Sequence, residues 1–372
     1  MLVGIDARNL VPGMSGLGRF VAGAVGELHR QGANVHLFLP QAAHVDMKDR
    51  LADVDATVSA CHGPILRTYW GHTLLPRQAA SRGVDVLWGP AHRLPGRVVG
   101  KMARVVTIHD LVWRHAPETM RRQTWLGDRV LMRRAVEAAD MVVADSDATR
   151  QSLTEEFGPQ KRPPVRIYPG VVALRADPQI NIRSRFGIDR PYALFVGTPE
   201  PRKNLPRLIE AYRALEPALR RRCMLVLAGG AGWGNADLAR GIRGFESDIR
   251  LAGRVSDGEL AALYQGCLFA AFPSLYEGFG FPIVEANISG KPVLTSHGSS
   301  MPEVGGAAAL LVDPGSTASI GEGLARMIAD DGLREGLAAR AEGNAARFTW
   351  RHFGEQMLSV FERAVAARRA AG

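Results

Sequence analysis

Residues 268–296 read LFAAFPSLYEGFGFPIVEANISGKPVLTS, and their pattern indicates how the chain folds. The apolar run LFAAF predicts a strand, residues 277–281 predict a tight turn, and Pro282 stands where a helix begins. The run PVLTS at 292–296 predicts the next strand. A strand, a helix and a second strand in succession are typical of parallel α/β structure.

The same alternation of short apolar runs and longer helical patterns continues along the whole sequence. Most of the runs are apolar throughout, as expected for parallel strands covered by helices on both faces. The predicted strands are LVGID, VHLFL, VDVLW, RVVTIH and MVVAD in the first half, and YALFVG, CMLVLAG, LFAAF and PVLTS in the second. We therefore predict an α/β protein with two doubly wound parallel sheets.

The length of 372 residues allows two domains of ordinary size. Pro163, Pro164, Pro169 and Gly170 interrupt regular structure between the two series of strands, so we place the domain boundary near Pro169. The predicted domains are residues 1–169 and 170–349. The remaining segment, 350–372, has an apolar stripe at spacings of four and is predicted to be a helix that docks by it; the stripe is Phe353, Met357, Phe361 and Val365.

Composition limits the class of protein. Hydrophobic residues make up 46% and charged residues 22%, which excludes a disordered or collagen-like chain. The net charge of +9 points to polyanions, a membrane face or phosphorylated ligands. Three widely separated cysteines indicate a reducing compartment. The sequence shows neither a signal peptide nor a long apolar span, so we expect a cytoplasmic protein whose membrane contact, if any, is peripheral.

The turn at 277–281 is a candidate binding site because it opens onto a helix N-terminus. Gly278, Phe279 and Gly280 let the backbone approach a ligand, and free N–H groups of the first helical turn can bind a phosphate or a sugar hydroxyl. Glu277 and Glu285 can face the same crevice, where carboxylates accept hydrogen bonds from vicinal hydroxyls. The alternative is a chance spacing, with Glu285 only stabilising the helix dipole.

The stretch GTPEPRKNL at 197–205 carries two cations at a predicted strand-to-helix loop. Arg202 and Lys203 precede a helix that we expect Asn204 to cap. Cations at the positive end of a helix are unfavourable unless a bound dianion compensates them. The alternative is that both are solvated surface charges.

Four further features follow predicted strands. His109 and Asp110 end the strand RVVTIH, where a histidine is often only structural. Gly16 and Gly18 form a glycine-rich loop before the next helix, which is a weak signal. Asp145 and Asp147 resemble a metal-binding pair, but Asp147 is predicted to cap a helix, and we expect no metal. The stretch GGAGWGN, which suggests a dinucleotide loop, lacks the acid that would complete one.

Taken together, EGFGFPIVEA, GTPEPRKNL, TIHDL and SGLGRF resemble, in order and separation, the retaining nucleotide-sugar glycosyltransferases of family four. The resemblance covers essentially the whole chain and is strongest to bacterial mannosyl and rhamnosyl transferases of surface polysaccharide synthesis. It implies the GT-B fold, with two Rossmann-like domains facing a central cleft. The C-terminal domain would hold the donor, the N-terminal domain the acceptor, and the last helix would cross back to the first domain.

The resemblance also implies roles for individual residues. Lys203 and Arg202 would bind the donor diphosphate, Glu277 the donor sugar, and His109 would support charge at the reacting centre. Arg19 would contact a phosphate or the acceptor. The remaining donor-binding positions implied are Gly16, Gly18, Thr198, Arg254, Val255, Gly278, Phe279, Gly280 and Glu285. Thr198 departs from the family, whose members often carry an arginine directly after the strand glycine.

The activity implied is transfer of a sugar, first of all mannose from GDP-mannose, to a glycan or lipid-linked acceptor in polysaccharide or O-antigen biosynthesis, without cofactor or metal. Alternatives are an epimerase or phosphorylase on the same fold, or a non-catalytic nucleotide-sugar-binding subunit. No nucleic-acid partner is expected. A basic segment interleaved with apolar residues suggests that the protein contacts an anionic surface at the inner face of the membrane. The cations of this segment are Arg114, Arg121, Arg122, Arg129, Arg133 and Arg134, and its apolar residues are Met120, Trp125, Leu126, Leu131 and Met132.

Overall fold

A computed structural model describes residues 1–10, 16–43, 51, 53–96, 100–158, 162–230 and 240–370. The chain divides into two compact units. The first comprises Met1–Trp113, Met120–Gly170 and Phe348–Gly372, and the second Arg114–Thr119 and Val171–Arg347.

The first unit is built on a parallel sheet, which has seven strands within the described residues. Its order is β3-β2-β1-β4-β5-β6-β7. Because β1 pairs with β2 on one side and with β4 on the other, the strand order reverses between β1 and β4. The strands are β1 (Leu2–Asp6), β2 (Asn34–Leu39), β3 (Asp55–Val58), β4 (Val86–Gly89), β5 (Ala103–Ile108), β6 (Met141–Ala144) and β7 (Val165–Arg166).

The second unit is built on another parallel sheet, with six strands in the part of the chain that is described. Its order is β10-β9-β8-β11-β12-β13. The strands are β8 (Tyr192–Val196), β9 (Met224–Ala228), β10 (Ile249–Gly253), β11 (Phe269–Phe272), β12 (Val293–Ser296) and β13 (Ala309–Val312). The prediction of an α/β protein with two parallel sheets is confirmed.

Helices connect the strands in both halves of the chain. Those of the first half are α1 (Gly16–Arg30), α2 (Gly63–Tyr69), α3 (Leu75–Ser81), α4 (Val112–His115), α5 (Arg122–Ala138) and α6 (Asp147–Phe157), with a π-helical segment, Trp70–Leu74, joining α2 to α3. Those of the second half are α7 (Ile182–Phe186), α8 (Leu205–Arg213), α9 (Pro217–Arg222), α10 (Asp257–Gly266), α11 (Phe281–Ile288), α12 (Met301–Gly305), α13 (Thr317–Ala329), α14 (Asp331–Ala338), α15 (Ala341–Ala345) and α16 (Trp350–Ala370).

The last helix, α16, packs into the first unit by the stripe predicted from sequence. Phe353, Met357 and Phe361 are buried, whereas Val365 is half-buried. The Phe353 ring meets that of Phe20 edge to face, with centroids 5.5 Å apart. Burial of such side chains stabilises the docked helix by about 1.5–3 kcal/mol each. None of the described helices combines the length and apolar character needed to cross a lipid bilayer.

Four strands were not predicted from sequence, namely β3, β7, β10 and β13. Each lies at an edge of its sheet. Their residues are largely half-buried or exposed. Polar residues interrupt β3, β7 and β10, which therefore lack the continuous apolar runs of the central strands, whereas β13 is apolar throughout and was missed in spite of it.

Candidate active site

The loop after β11 leads directly into helix α11, as predicted. Gly280 precedes the helix with φ 98°, a conformation that favours glycine, and Pro282 occupies the first turn. Gly278 and Phe279 are buried. The N-terminus of α11 therefore stands at the carboxyl end of β11, where parallel sheets bind ligands.

Serine side chains hold this loop, and the sequence analysis did not identify them. The Ser300 hydroxyl lies 2.9 Å from the Glu277 carbonyl and 3.0 Å from that of Phe279, and it donates to these acceptors. Ser299, at φ 58°, also donates to the Glu277 carbonyl. The Ser274 hydroxyl donates to Glu277 Oε1 at 3.3 Å. The backbone of Glu277 is thus fixed by serines of a neighbouring loop, and its carboxylate by a serine of the same loop.

Arg202 lies between two carboxylates. Its Nε donates to Glu200 Oε2 at 2.8 Å, and its Nη1 donates to the Glu277 carboxylate. Its carbonyl accepts from the Leu275 N–H at 2.7 Å. The guanidinium of Arg202 thus orients Glu277, and the assignment of Arg202 to the diphosphate stays a prediction.

Lys203 and Glu277 line one pocket in the second unit. The pocket also includes Ser274, Gly280 and Pro282, so it opens on the N-terminus of α11. The Lys203 amine lies against Gly197, where the backbone has φ 145° and a side chain would displace the amine. A cation, a carboxylate and the positive end of a helix therefore meet in one place, as expected for an anionic sugar ligand.

Asn204 occupies the position before α8, but its side chain has a different use from the predicted cap. It takes up a left-handed conformation, φ 60°, after a 3₁₀ turn at Pro201–Lys203. Its amide donates to the carbonyls of Pro273 (2.9 Å) and Pro314 (2.8 Å). The prediction that Asn204 is the N-cap of α8 is confirmed for its position. Its side chain makes no hydrogen bond to the first turn, because the left-handed turn directs it to two other loops.

Glu285, on α11, accepts a hydrogen bond from the Tyr264 hydroxyl at 2.9 Å. Burial, followed by the charge of Glu285, raises the pKa of Tyr264 well above its ordinary value, so the hydroxyl remains a donor. Glu285 lies outside the set of described residues that line the Lys203 pocket. Its assignment to the ribose stays a prediction.

The other donor-binding predictions fall on two loops of the same unit. Thr198 is exposed in the loop after β8. Arg254 is exposed and Val255 half-buried between β10 and α10, whose N-cap is Ser256. In the stretch GGAGWGN, residues 231–235 lie outside the described residues.

Gly16 and Gly18 lie in the first turn of α1, which corrects the prediction of a loop before that helix. Gly18 is buried, whereas Gly16 and Arg19 are exposed. One residue further on, the Phe20 ring packs edge to face on His109 with centroids 4.7 Å apart. The motif SGLGRF is thereby connected to the carboxyl end of β5.

His109, which follows β5, is buried with a hydrogen-bond partner at each ring nitrogen. Its Nε2 lies 2.7 Å from the Pro90 carbonyl and its Nδ1 lies 3.0 Å from Asp145 Oδ2. Because a carbonyl only accepts, Nε2 carries a proton. Burial lowers the pKa of His109, but the hydrogen bond and charge of Asp145 outweigh burial, so the pKa is raised overall. Burial has the opposite effect on a carboxyl group, and it raises the pKa of Asp145 to about 6.

Asp145 and Asp147 have separate partners, which corrects the predicted cap. Ser146 is the N-cap of α6 and accepts from the Thr149 N–H. Asp147 pairs instead with Arg150 (2.8 Å) and Arg166 (3.6 Å). Among the described residues, no cluster of three or more His, Cys, Asp or Glu side chains has the arrangement of a metal site. The absence of a metal requirement remains a prediction.

Comparisons with known proteins identify the family and the fold of the chain. Residues 178–344 match the family "Glycosyl transferases group 1", and residues 14–175 match "Glycosyltransferase Family 4". The O-antigen chain mannosyltransferase B of Escherichia coli is 32% identical over 286 residues, which are 74% of this chain and 73% of that protein.

Two solved structures are similar over nearly the whole chain. Sucrose-phosphate synthase from Thermosynechococcus elongatus has a TM-score of 0.75 at 20% identity, covering 98% of this chain and 99% of that one. Anabaena HepE, in complex with UDP and glucose, has a TM-score of 0.74 at 22% identity, covering 98% of this chain and 100% of that one. This chain therefore belongs to glycosyltransferase family 4 and is a glycosyltransferase with the GT-B fold.

Proposed function

We propose that the protein transfers a sugar, with retention of anomeric configuration, from a nucleoside-diphosphate donor to a glycan or lipid-linked acceptor in polysaccharide or O-antigen biosynthesis. The observation that carries the proposal is the meeting of Lys203, Glu277 and the N-terminus of α11 in one pocket. Mannose from GDP-mannose is the first choice of donor, because the Escherichia coli relative is an O-antigen mannosyltransferase.

The residues of the pocket suit the charge that develops in such a transfer. As the bond from the anomeric carbon to the diphosphate oxygen breaks, negative charge grows on the diphosphate, where Lys203 and the N–H groups of α11 stabilise it. The acceptor oxygen bonds to the anomeric carbon on the same face, and its proton passes to the departing diphosphate oxygen. Glu277, oriented by Arg202 and Ser274, would hold the sugar hydroxyls.

We further propose a cytoplasmic enzyme that meets its acceptor at the inner membrane face. On α5, Leu126 is 56% exposed and Val130 39% exposed, and the exposed Arg129 and Arg133 lie on either side of Val130 in the sequence. Apolar side chains among arginines suit an anionic leaflet, where each basic residue contributes about 1 kcal/mol. Arg133 also pairs with Glu156 at 3.5 Å, which reduces the contribution of Arg133 to membrane binding.

A thermal-shift screen of GDP-mannose, UDP-glucose and dTDP-rhamnose tests the donor assignment. The true donor at 100 times its dissociation constant stabilises the fold by roughly 2.7 kcal/mol. Stabilisation followed by sugar transfer to an added acceptor supports the proposal. Release of a changed nucleotide sugar without acceptor identifies an epimerase, and stabilisation without any turnover identifies a binding subunit; either result contradicts it.

A further inference from the structure

The turn that follows β4 brings a second histidine, His92, against His109. The two rings are in contact, with centroids 5.3 Å apart and planes inclined at 46°. His92 is half-buried, whereas His109 is buried. None of the four sequence motifs contains His92. Its ring therefore supplies a part of the surroundings of His109 that the motifs did not indicate.

The backbone of His92 has a conformation that side chains rarely adopt. Its φ is 59°, in the left-handed region, which histidine and asparagine enter more readily than most residues. In the described part of the chain, the other non-glycine residues with positive φ are Asn204 and Ser299. Both hold loops of the second unit's candidate site. Backbone strain of this kind clusters at functional sites, so the turn after β4 is a further candidate.

Two hydrogen bonds tie this turn, residues 90–94, to the end of β5. The His92 N–H donates to the Thr107 carbonyl at 3.0 Å, and the Pro90 carbonyl accepts from His109 Nε2 at 2.7 Å. A side chain at Gly89 would collide with the backbone of the turn, which therefore closes tightly. The turn whose carbonyl orients His109 is thus the one that brings the His92 ring to it.

His92 is neutral at ordinary pH. Burial, together with the positive charges of His109 and Arg93, lowers the pKa of His92 to about 3, against an opposing effect of Asp128. Arg93 itself pairs with Asp128 at 2.5 Å. The His92 ring therefore contacts His109 without adding a positive charge, which would repel the imidazolium form of His109.

We propose that His92 is a positioning residue for His109, whose imidazole it holds in the orientation that bonds Pro90 and Asp145 and whose Nε2 proton it shields from water. The inference rests on the proposed function, because it connects His92 to the reacting centre through His109. Without the His92 ring, His109 gains freedom to rotate and its N–H groups meet water. A charge that is no longer held in place stabilises a developing anion less well.

The test removes the His92 ring from the full chain and keeps the turn. Asparagine also enters the left-handed region readily, so His92→Asn preserves the backbone. His92→Gly, in which positive φ carries no strain, checks that the asparagine does not replace the ring by a hydrogen bond to His109. The matched control is His62→Asn, which changes an exposed histidine of the same unit.

The Nε2 proton of His109 reports its positioning directly. Its low-field NMR signal is identified by its loss in His109→Gln. We expect this proton to exchange with water about 10-fold faster in His92→Asn and His92→Gly than in the parent, and at the parent rate in His62→Asn. If His92 served only to close the turn, the glycine variant would keep the parent rate. Parental exchange in both His92 variants would overturn the proposal.

Steady-state kinetics separate positioning from substrate binding. In both His92 variants kcat should fall about 10-fold while KM for the donor changes less than about 2-fold, because His109 acts on charge that develops in the transition state. A raised KM with parental kcat would assign His92 to substrate binding and overturn the proposal. The exchange measurement needs no substrate, so failure of the positioning role is distinguishable from failure of the proposed transferase activity.

Discussion

Nδ1 of His109 lies 3.0 Å from Oδ2 of Asp145, and both residues are buried where neighbouring strands end. The Pro90 carbonyl accepts from Nε2 and so fixes a proton there. An ionised Asp145 favours a second proton on Nδ1, which makes His109 an imidazolium hydrogen-bonded at both ring nitrogens. A fixed positive charge at this strand end is the form that would support a developing anion.

The first prediction is that Asp145→Asn makes His109 neutral without displacing it. The asparagine amide can donate to Nδ1, so the hydrogen bond survives while the charge is lost. Burial then lowers the pKa of His109 against only the smaller raising effects of the Pro90 carbonyl and Asp110. We expect turnover near pH 7 to fall roughly 10- to 100-fold. Histidine NMR and pH profiles of kcat measure both effects. The control is Asp147→Asn, whose carboxylate pairs with arginines instead; equal loss in the control would contradict the role of Asp145.

The same pair predicts how stability depends on pH. The raised pKa of folded His109 means that its contribution to the free energy of unfolding is complete below about pH 6.5 and is lost as the pH rises through that raised value. Asp145→Asn reduces this loss, because His109 no longer faces the Asp145 carboxylate, whose hydrogen bond and charge contribute most to raising its pKa. Urea unfolding from pH 6.5 upward should therefore show the parent losing stability relative to the variant.

The second prediction concerns Lys203, whose amine lines the pocket at the N-terminus of α11. Lys203→Ala should reduce turnover by roughly 10²-fold or more, because one preorganised cation no longer stabilises the departing diphosphate. The fold should remain intact by circular dichroism. Lys101→Ala, which changes an exposed lysine of the other unit, is the control. Transfer at the parent rate by Lys203→Ala would refute the assignment.

The third prediction is a division of labour between Glu277 and Glu285. Glu285→Ala should weaken binding of bare nucleoside diphosphate about 10-fold, and Glu277→Ala should leave it nearly unchanged while reducing binding of the full donor. Calorimetric titration with each ligand measures this difference. Tyr264→Phe controls for loss of the hydrogen bond to Glu285. Equal losses for bare nucleotide in the two glutamate variants would contradict the division.

The fourth prediction is that activity survives excess EDTA. It rests on Lys203 and helix N–H groups serving as the counter-charge for the diphosphate, and on the separate partners of Asp145 and Asp147. A radiolabel transfer assay with and without chelator measures it. Complete loss of activity, restored by manganese or magnesium, would contradict the prediction and indicate that these two aspartates bind a metal.

The fifth prediction is salt-sensitive attachment to anionic membranes through the basic segment. The protein should co-sediment with vesicles containing anionic lipid at low salt and dissociate as salt is added. Binding should fall several-fold when four arginines become Gln; these are Arg121, Arg122, Arg133 and Arg134. The control removes as many exposed arginines from the second unit, namely Arg183, Arg185, Arg221 and Arg222. No binding at low salt would favour a soluble acceptor.

The sequence by itself determined the two parallel sheets and the position of the α11 loop. Central strands such as β4 and β11 are buried on both faces, and a continuous apolar run is a local property that can be read directly. Gly280 and Pro282 likewise mark the start of α11 through their own backbone preferences. Edge strands such as β3 and β7 are half-buried or exposed and contain polar residues, so they leave no comparable signal.

Only the tertiary structure decided which side chains meet. Arg202 and Glu277 are 75 positions apart, and their contact could not be predicted from either motif. His109 and Asp145 are 36 positions apart and meet because β5 and β6 are neighbours in the sheet. Hydrogen bonds and charge pairing depend on distances between atoms, and these follow from how strands and loops pack. Local sequence patterns record backbone preference and burial, which is why they located the loops but not the contacts between them.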